Sequence, residues 1–159
     1  MTEAEFDLLA AQGYNRIPLT LETFADLDTP LSIYLKLADG PWSYLLESVQ
    51  GGERFGRYSF IGLSAPTRIA AYGRKVLALS GNRIAEQRAD CDPLAFVAEY
   101  LARFRPAPRA GLPRFCGGLV GCFGYDTVRY IEPKLGGTQK PDELGTPDIL
   151  LLLSEEIAI

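Results

Sequence analysis

The apolar positions near the N-terminus recur at the spacing of one helix face. Thr2 and Glu5 stand at the spacing of a capping box, in which two side chains satisfy free backbone N–H groups where a helix begins. Phe6 and Leu9 then start an apolar stripe that stops at Gly13. This pattern predicts a short amphipathic helix near the N-terminus.

Two further segments combine a helix-start signal with an apolar face. Thr29-Pro30 and Asp92-Pro93 each supply an N-cap residue followed by a proline that suits the first helical turn. The first of these predicted helices has an apolar face of Ile33, Tyr34 and Leu37. The second, which is the most strongly amphipathic, has a predicted buried face of Leu94, Val97, Leu101 and Phe104.

Short apolar stretches separated by tight-turn residues occupy the middle of the chain. Gly73-Arg74 and Gly81-Asn82 separate the last three stretches, and Gly51-Gly52 separates the first two. Strands joined by such tight turns form an antiparallel meander. The predicted strands are Trp42–Val49, Arg57–Leu63, Arg68–Tyr72, Val76–Ser80 and Arg83–Gln87.

The last part of the chain is predicted to be mostly extended. Phe115–Phe123 is apolar and rich in glycine, but it lacks the Lys-Ser or Lys-Thr pair of a phosphate-binding loop. Close packing of a strand against another layer explains these glycines better. Asp126–Ile131 predicts one or two helical turns. Ile149–Leu153 and Ile157–Ile159 are strand-like, and because the chain ends inside the latter we expect a continuation.

Length and charge narrow the range of functions. The chain has 159 residues, which is enough for one domain with a core, and its net charge of -4 gives no field for holding a polyphosphate backbone. Its start lacks the basic and apolar regions of a secretory signal, and no apolar run reaches membrane-spanning length. We therefore expect a cytoplasmic protein with neither nucleic acid nor a membrane as its partner.

The chain contains no histidine and only three cysteines, which limits its catalytic chemistry. Nucleophilic catalysis of the Ser-His-Asp or Cys-His type cannot be built from these residues alone, and the usual zinc sites lose their ligands. We expect the chain by itself to be inactive. Without CxxC spacing, Cys91, Cys116 and Cys122 are expected to be reduced thiols that act as buried small apolar side chains.

A carboxylate, a hydroxyl and a guanidinium come together where the first two predicted strands meet. Glu47 and Ser48 lie in the first strand, and the basic residue is Arg57, at the start of the second strand, or alternatively Arg54, shortly before it. Such groups bind the ammonium and carboxylate of a free amino acid, although a solvated strand end with a surface ion pair is the competing interpretation. Because neighbouring strand residues point to opposite faces, Glu47 and Ser48 can share a ligand only through a bulge or a backbone contact.

Several stretches resemble, in order along the chain, the N-terminal region of anthranilate synthase component I. The most specific are Leu45–Val49 (LLESV) and Gly56–Gly62 (GRYSFIG). Further matching stretches are Tyr14–Pro18, Asp26–Ser32, Gly124-Tyr125-Asp126 with Arg129, and Pro141–Gly145. The resemblance covers nearly the whole chain and identifies it as a member of the chorismate-utilising enzymes, with Cys122 departing from the bulkier residue expected there.

The resemblance implies a longer enzyme, a lyase that converts chorismate to anthranilate in tryptophan biosynthesis. Such enzymes use Mg²⁺ and take ammonia from a glutamine amidotransferase subunit, component II. Their chorismate and Mg²⁺ residues lie in a C-terminal catalytic region that is absent from this chain, so no metal is expected here. Residues 1–159 are then the N-terminal regulatory domain, which contacts its own C-terminal region.

The same resemblance implies that this segment forms much of the allosteric site for feedback inhibition by L-tryptophan. Ser48 is the firmest contact, with Glu47 and Leu46 beside it and Arg57 as the basic group. The implied fold is α+β, with helices packed outside two orthogonal antiparallel sheets. Two alternatives remain open: the aminodeoxychorismate synthase component of the folate pathway, which shares the fold and a similar tryptophan pocket, and a stand-alone amino-acid-binding or interaction domain.

Overall fold

The computed structural model describes residues 1–48, 57–137 and 142–159. Its helices are α1 (Glu3–Ala11), α2 (Pro30–Leu37), α3 (Pro93–Ala102) and α4 (Val128–Ile131), with short 3-10 turns at Tyr125–Thr127 and Pro133–Gly137. Its strands are β1 (Tyr44–Glu47), β2 (Ser59–Gly62), β3 (Thr67–Tyr72), β4 (Lys75–Ser80), β5 (Arg83–Arg88), β6 (Gly118–Phe123), β7 (Ile149–Ser154) and β8 (Ile157–Ala158). The predicted turn at Gly51-Gly52, the strand end at Val49, the alternative basic residue Arg54 and the motif residue Pro141 lie outside the described residues.

The three predicted helices begin where their capping signals stand. Thr2 and Glu5 form a reciprocal capping box, in which the Thr2 backbone N–H donates to Glu5 Oε2 at 2.7 Å. Thr29 and Ser32 do the same for α2, and the Asp92 carboxylate accepts from the N–H of Leu94 at 2.9 Å in α3. None of the helices in the described ranges is long and apolar enough to cross a membrane.

The predicted buried face of α3 is correct in part, because Leu94 and Val97 pack against the core. Pro93 and Phe96 are the buried residues of this helix, and Tyr100 stacks on Phe96 with ring centroids 6.1 Å apart. Leu101 is 43% exposed, so its assignment to the buried face is wrong. Leu37 of α2 is likewise exposed. Leu101 is exposed because apolar residues surround much of α3, and the sheet beneath this helix selects the side on which the large Phe96 ring fits.

All five predicted strands are present, but the single meander is wrong because they divide between two sheets. One sheet has the order β1-β2-β8 and the other β5-β4-β3-β7-β6, and all pairs are antiparallel. The connection at Leu63–Pro66 takes the chain from β2 to β3 in the other sheet. The fold is therefore α+β, as expected, while the right-angle packing of the sheets stays a prediction.

The core lies between α3 and one face of the five-stranded sheet. β7 is inserted between β3 and β6, and Leu151 is the register partner of Ile69 in β3 and of Gly121 in β6. The buried cluster on this face consists of Ile69, Ala71, Val76, Ala78, Phe96, Ile149 and Leu151. Because β7 comes from the end of the sequence, the core forms only when distant parts of the chain meet.

Strand β6 corrects two expectations about its residues. A side chain at Gly121 would overlap the backbone carbonyl of Leu150, so its close neighbour is a strand of the same sheet and not another layer. Cys116 and Cys122 are exposed and Cys91 is half-buried, so the expected burial is wrong for two of the three thiols, all of which are free. Cys122 lies in β6, which is an edge strand among the described residues, and Cys116 lies in the segment before it.

A polar network holds the start of β7 against the turn between β3 and β4. The Asp148 Oδ2 atom accepts from the backbone N–H of Gly73 at 2.7 Å and from the Tyr130 hydroxyl at 2.6 Å. The Asp148 carbonyl accepts from the Gly124 N–H and the Thr127 hydroxyl. Asp148 therefore joins α4, the β3–β4 turn and β7 in one place.

We expect Tyr130→Phe to lower the free energy of unfolding by about 1.5–3 kcal/mol at neutral pH, because a hydrogen bond to a charged carboxylate is lost. Burial, followed by the hydrogen bond to Asp148, raises the pKa of the Tyr130 hydroxyl above its ordinary value of 10.0. A raised folded-state pKa stabilises the protein below the unfolded-state pKa and loses this effect at higher pH. The stability difference between the two proteins should therefore be largest below pH 10 and shrink above it.

Urea denaturation of both proteins from pH 7 to pH 11 measures this difference. Asp90→Asn is the matched control, because Asp90 is exposed and pairs with Arg74 at the surface. A Tyr130→Phe protein as stable as the parent at pH 7 would contradict the assigned network.

Candidate functional site

The hairpin of β1 and β2 carries the predicted ligand residues, and its register is regular. Tyr44 is the partner of Gly62 and Glu47 is the partner of Ser59, with no shift between them. A bulge that would turn Glu47 and Ser48 to the same side is therefore absent from the described part of the hairpin. Only a backbone contact from one of the two residues remains as a way to share a ligand.

Alternation divides the predicted site residues between the two faces of the hairpin. Leu46 lies opposite Phe60 on one face, and continuing the alternation one residue beyond β1 assigns Ser48 to this face as well. Glu47 lies opposite Ser59 on the other face, where the Ser59 hydroxyl donates to Glu47 Oε1 at 3.3 Å. The structure thus brings the predicted residues to one hairpin but not to one face.

Arg57 lies two residues before Ser59, so the same alternation assigns it to the face of Glu47. Its guanidinium carbon is 5.5 Å from the centre of the Tyr58 ring. All four predicted residues are exposed, and Leu46, the most apolar of them, is 48% accessible to solvent. Among the described residues, the arrangement is therefore an open surface without an opposite wall.

Aromatic side chains next to Leu46 were missed by the sequence analysis. The ring of Phe60 meets that of Phe115 edge to face, with centroids 5.5 Å apart, and Tyr58 lies 6.0 Å from Phe60. Alternation with Leu46 could have assigned Phe60 to this surface. Phe115 could not have been found in this way, because it is far away in sequence. We call Leu46, Ser48, Phe60 and Phe115 the hairpin surface.

Tyr44 fixes the hairpin to the larger sheet. Its hydroxyl lies 2.7 Å from the Ser154 hydroxyl at the end of β7, and both groups are partly buried. Burial raises the pKa of Tyr44, and the hydrogen bond to Ser154 opposes this rise. The ring of Tyr44 covers Gly62, where a β-carbon would overlap it. Gly62 is thus required by the close approach of the tyrosine that orients the hairpin surface.

Two cavities of the described residues lie away from the hairpin surface. One, of about 470 Å³, is lined by α1 and the segment around Arg109; the other, of about 330 Å³, is lined by Leu63–Pro66 and Glu155-Glu156. Within the described ranges no three Asp, Glu, Cys or His side chains converge.

The chain is similar to curated proteins named anthranilate synthase component 1. It is 58% identical to the protein of Pseudomonas aeruginosa over 100% of this chain and 32% of that protein. It is 54% identical to the protein of Neisseria meningitidis serogroup B over 100% of this chain and 33% of that protein. The match to the Acinetobacter calcoaceticus protein is 40% identical over 98% of this chain and 32% of that protein. The chain spans about a third of the length of these relatives.

The chain is also similar to a solved structure of an anthranilate synthase component I. The crystal structure of anthranilate synthase component I from Streptococcus pneumoniae has 25% sequence identity and a TM-score of 0.48, covering 87% of this chain and 28% of that chain. No family model matches the sequence.

We expect Gly62→Ala to lower the free energy of unfolding by about 1–3 kcal/mol, because the added methyl group displaces the Tyr44 ring and breaks its hydrogen bond to Ser154. Gly40→Ala is the matched control, since a β-carbon there has no neighbour within 4 Å. Thermal and urea unfolding of both variants measure the effect. Equal stability of the two would contradict the described packing of Tyr44.

Proposed function

Because the chain belongs to the anthranilate synthase component 1 family, of which it matches the N-terminal third, we propose that it is the regulatory segment of an enzyme that converts chorismate to anthranilate. Identity with these relatives over the whole chain is the observation that carries the proposal. In this proposal the chain itself performs no chorismate chemistry. The C-terminal catalytic region supplies the chorismate and Mg²⁺ residues, and component II supplies ammonia from glutamine.

The regulatory ligand in this proposal is L-tryptophan, bound at the hairpin surface. The indole ring packs on Leu46 and on the edge-to-face pair of Phe60 and Phe115, which gives it an apolar and aromatic wall. The Ser48 hydroxyl hydrogen-bonds a charged group of the amino acid. The combination of an aromatic wall with a nearby hydroxyl supports an aromatic amino acid in preference to a small or acidic one.

Glu47 and Arg57 act differently from Ser48 in this proposal, since alternation assigns them to the other face. Glu47 contributes its backbone carbonyl to the ammonium group, while its carboxylate accepts from the Ser59 hydroxyl of the neighbouring strand. Arg57 supplies positive charge near the ligand carboxylate. The exposure of all these residues supports a pocket whose second wall comes from the C-terminal region.

In the full-length enzyme, Ser48→Ala should raise the tryptophan concentration needed for half-inhibition about tenfold or more. The reason is that a lost hydrogen bond to a charged ligand group is worth about 1.5–3 kcal/mol. Turnover without tryptophan should be nearly unchanged, because Ser48 is not a catalytic residue in this proposal. Anthranilate fluorescence measured against tryptophan concentration gives both values.

Ser80→Ala is the matched control for this experiment, because Ser80 is an exposed serine at the end of β4, in the other sheet. It should leave inhibition unchanged. Equal inhibition of the Ser48→Ala enzyme and its parent would remove Ser48 from the site.

The isolated chain should bind L-tryptophan about tenfold to a hundredfold more weakly than the full-length enzyme. Without its second wall, the hairpin surface leaves much of the indole ring in water, and burial of an aromatic side chain is worth about 1.5–3 kcal/mol. Calorimetric titration of both proteins in one buffer measures the difference. Equal affinities would show that residues 1–159 contain the whole site.

A further inference from the structure

The segment from Ile17 to Asp28, which we call the arm, exposes four large apolar side chains. Leu19 is 71% exposed, Leu21 93%, Phe24 96% and Leu27 100%. The arm contains no helix or strand before it reaches α2. Exposure of this extent is unusual for four large apolar residues so close together in sequence, because burying each of them is worth about 1.5–3 kcal/mol.

Both ends of the arm are fixed to the body of the protein. At its start, the Pro18 carbonyl accepts from Arg109 Nη1 at 2.9 Å, and the Arg16 carbonyl accepts from the Ala107 N–H at 2.7 Å. At its end, the Asp28 carboxylate accepts from the Ser32 hydroxyl and pairs with Lys36. The apolar side chains are therefore presented by a loop that is held at both ends, and not by a frayed terminus.

The start of the arm lies beside the end of the chain. Arg16 Nη2 is 3.0 Å from Glu155 Oε1 in the turn between β7 and β8, four residues before Ile159. The relatives extend over about twice as many further residues, since this chain covers 32% of the Pseudomonas aeruginosa protein. The part that the relatives add would emerge close to the arm, which makes it the nearest source of a large covering surface.

The charges of the arm indicate which kind of surface is complementary to it. Glu22, Asp26 and Asp28 are acidic, and the segment from Ile17 to Asp28 contains no lysine or arginine. A matching surface would have an apolar groove for Leu21, Phe24 and Leu27 and basic residues at its rim.

We propose that the arm docks on the C-terminal region of the full-length polypeptide, with Leu21, Phe24 and Leu27 buried in an apolar groove that has a basic rim. The proposal rests on the proposed function only in assuming that this region follows the chain. The arm is then an anchor between the regulatory and catalytic regions, separate from the hairpin surface.

Hydroxyl-radical footprinting of the arm in the isolated chain and in the full-length polypeptide tests the proposal. The labelling rates of Leu21, Phe24 and Leu27 should fall severalfold in the full-length polypeptide, at every protein concentration and without component II. Unchanged labelling would overturn the proposal. Protection that grows with protein concentration would assign the arm to a second copy, and protection only after addition of component II would assign it to that subunit; both would also overturn it.

A pair of double variants gives an independent readout. Leu21→Ser with Phe24→Ser should lower the melting temperature of the full-length polypeptide but not that of the isolated chain, where both side chains are exposed. Thr20→Ser with Thr23→Ser is the matched control within the arm, because both threonines are exposed and neither is part of the proposed contact, so the melting temperatures of both forms and the footprint of the full-length form should stay unchanged. Equal effects of Leu21→Ser with Phe24→Ser on the two forms would overturn the proposal.

Anthranilate formation and its inhibition by tryptophan, measured on the same full-length preparation, test the proposed function separately. Protection of the arm in an inactive polypeptide would support the docking and reject the enzyme. An active, tryptophan-inhibited polypeptide with an unprotected arm would reject the docking alone.

Discussion

The insertion of β7 between β3 and β6 is the constraint on which the rest of the structure depends. Its apolar residues Ile149 and Leu151 complete the core under Phe96, and without it β6 would not be joined to the sheet of β3, β4 and β5. The residues at the two ends of β7 form hydrogen bonds with other segments of the chain. Asp148 collects hydrogen bonds from three segments before the strand starts, and Ser154 contacts Tyr44 where it ends. The position of the hairpin surface is thus determined by one late strand.

The elements that the sequence predicted well are those with local causes. Thr2, Thr29 and Asp92 cap helices through hydrogen bonds within a few residues, and the glycine turns join strands that are neighbours along the chain. The division into two sheets and the place of β7 could not be predicted in this way, since alternation does not identify the partner of a strand. The wrong assignment of Leu101 in α3 had the same cause, because packing on the sheet selected Phe96 over Leu101.

The part of the candidate site that depends on neighbouring residues was predicted, and the part that depends on distant residues was not. Leu46, Glu47 and Ser48 are consecutive, so their common location in one hairpin followed from the sequence, and the alternation rule already indicated that Glu47 and Ser48 point apart. The regular register removed the bulge that could have reunited them. Phe115 came as a finding of the structure, since only the folded chain brings it to Phe60. An aromatic wall with a hydroxyl beside it gives the hairpin surface its specificity for an indole amino acid in the proposed function.

The proposed function depends most on whether L-tryptophan binds at the hairpin surface. A crystal structure of the full-length polypeptide with L-tryptophan tests this most directly, because it shows both the ligand and the surface that faces the hairpin. We predict the indole ring against Leu46 and Phe60, a charged group of the amino acid at Ser48, and a second wall from the C-terminal region. Tryptophan bound elsewhere, with the hairpin surface facing solvent, would contradict the account.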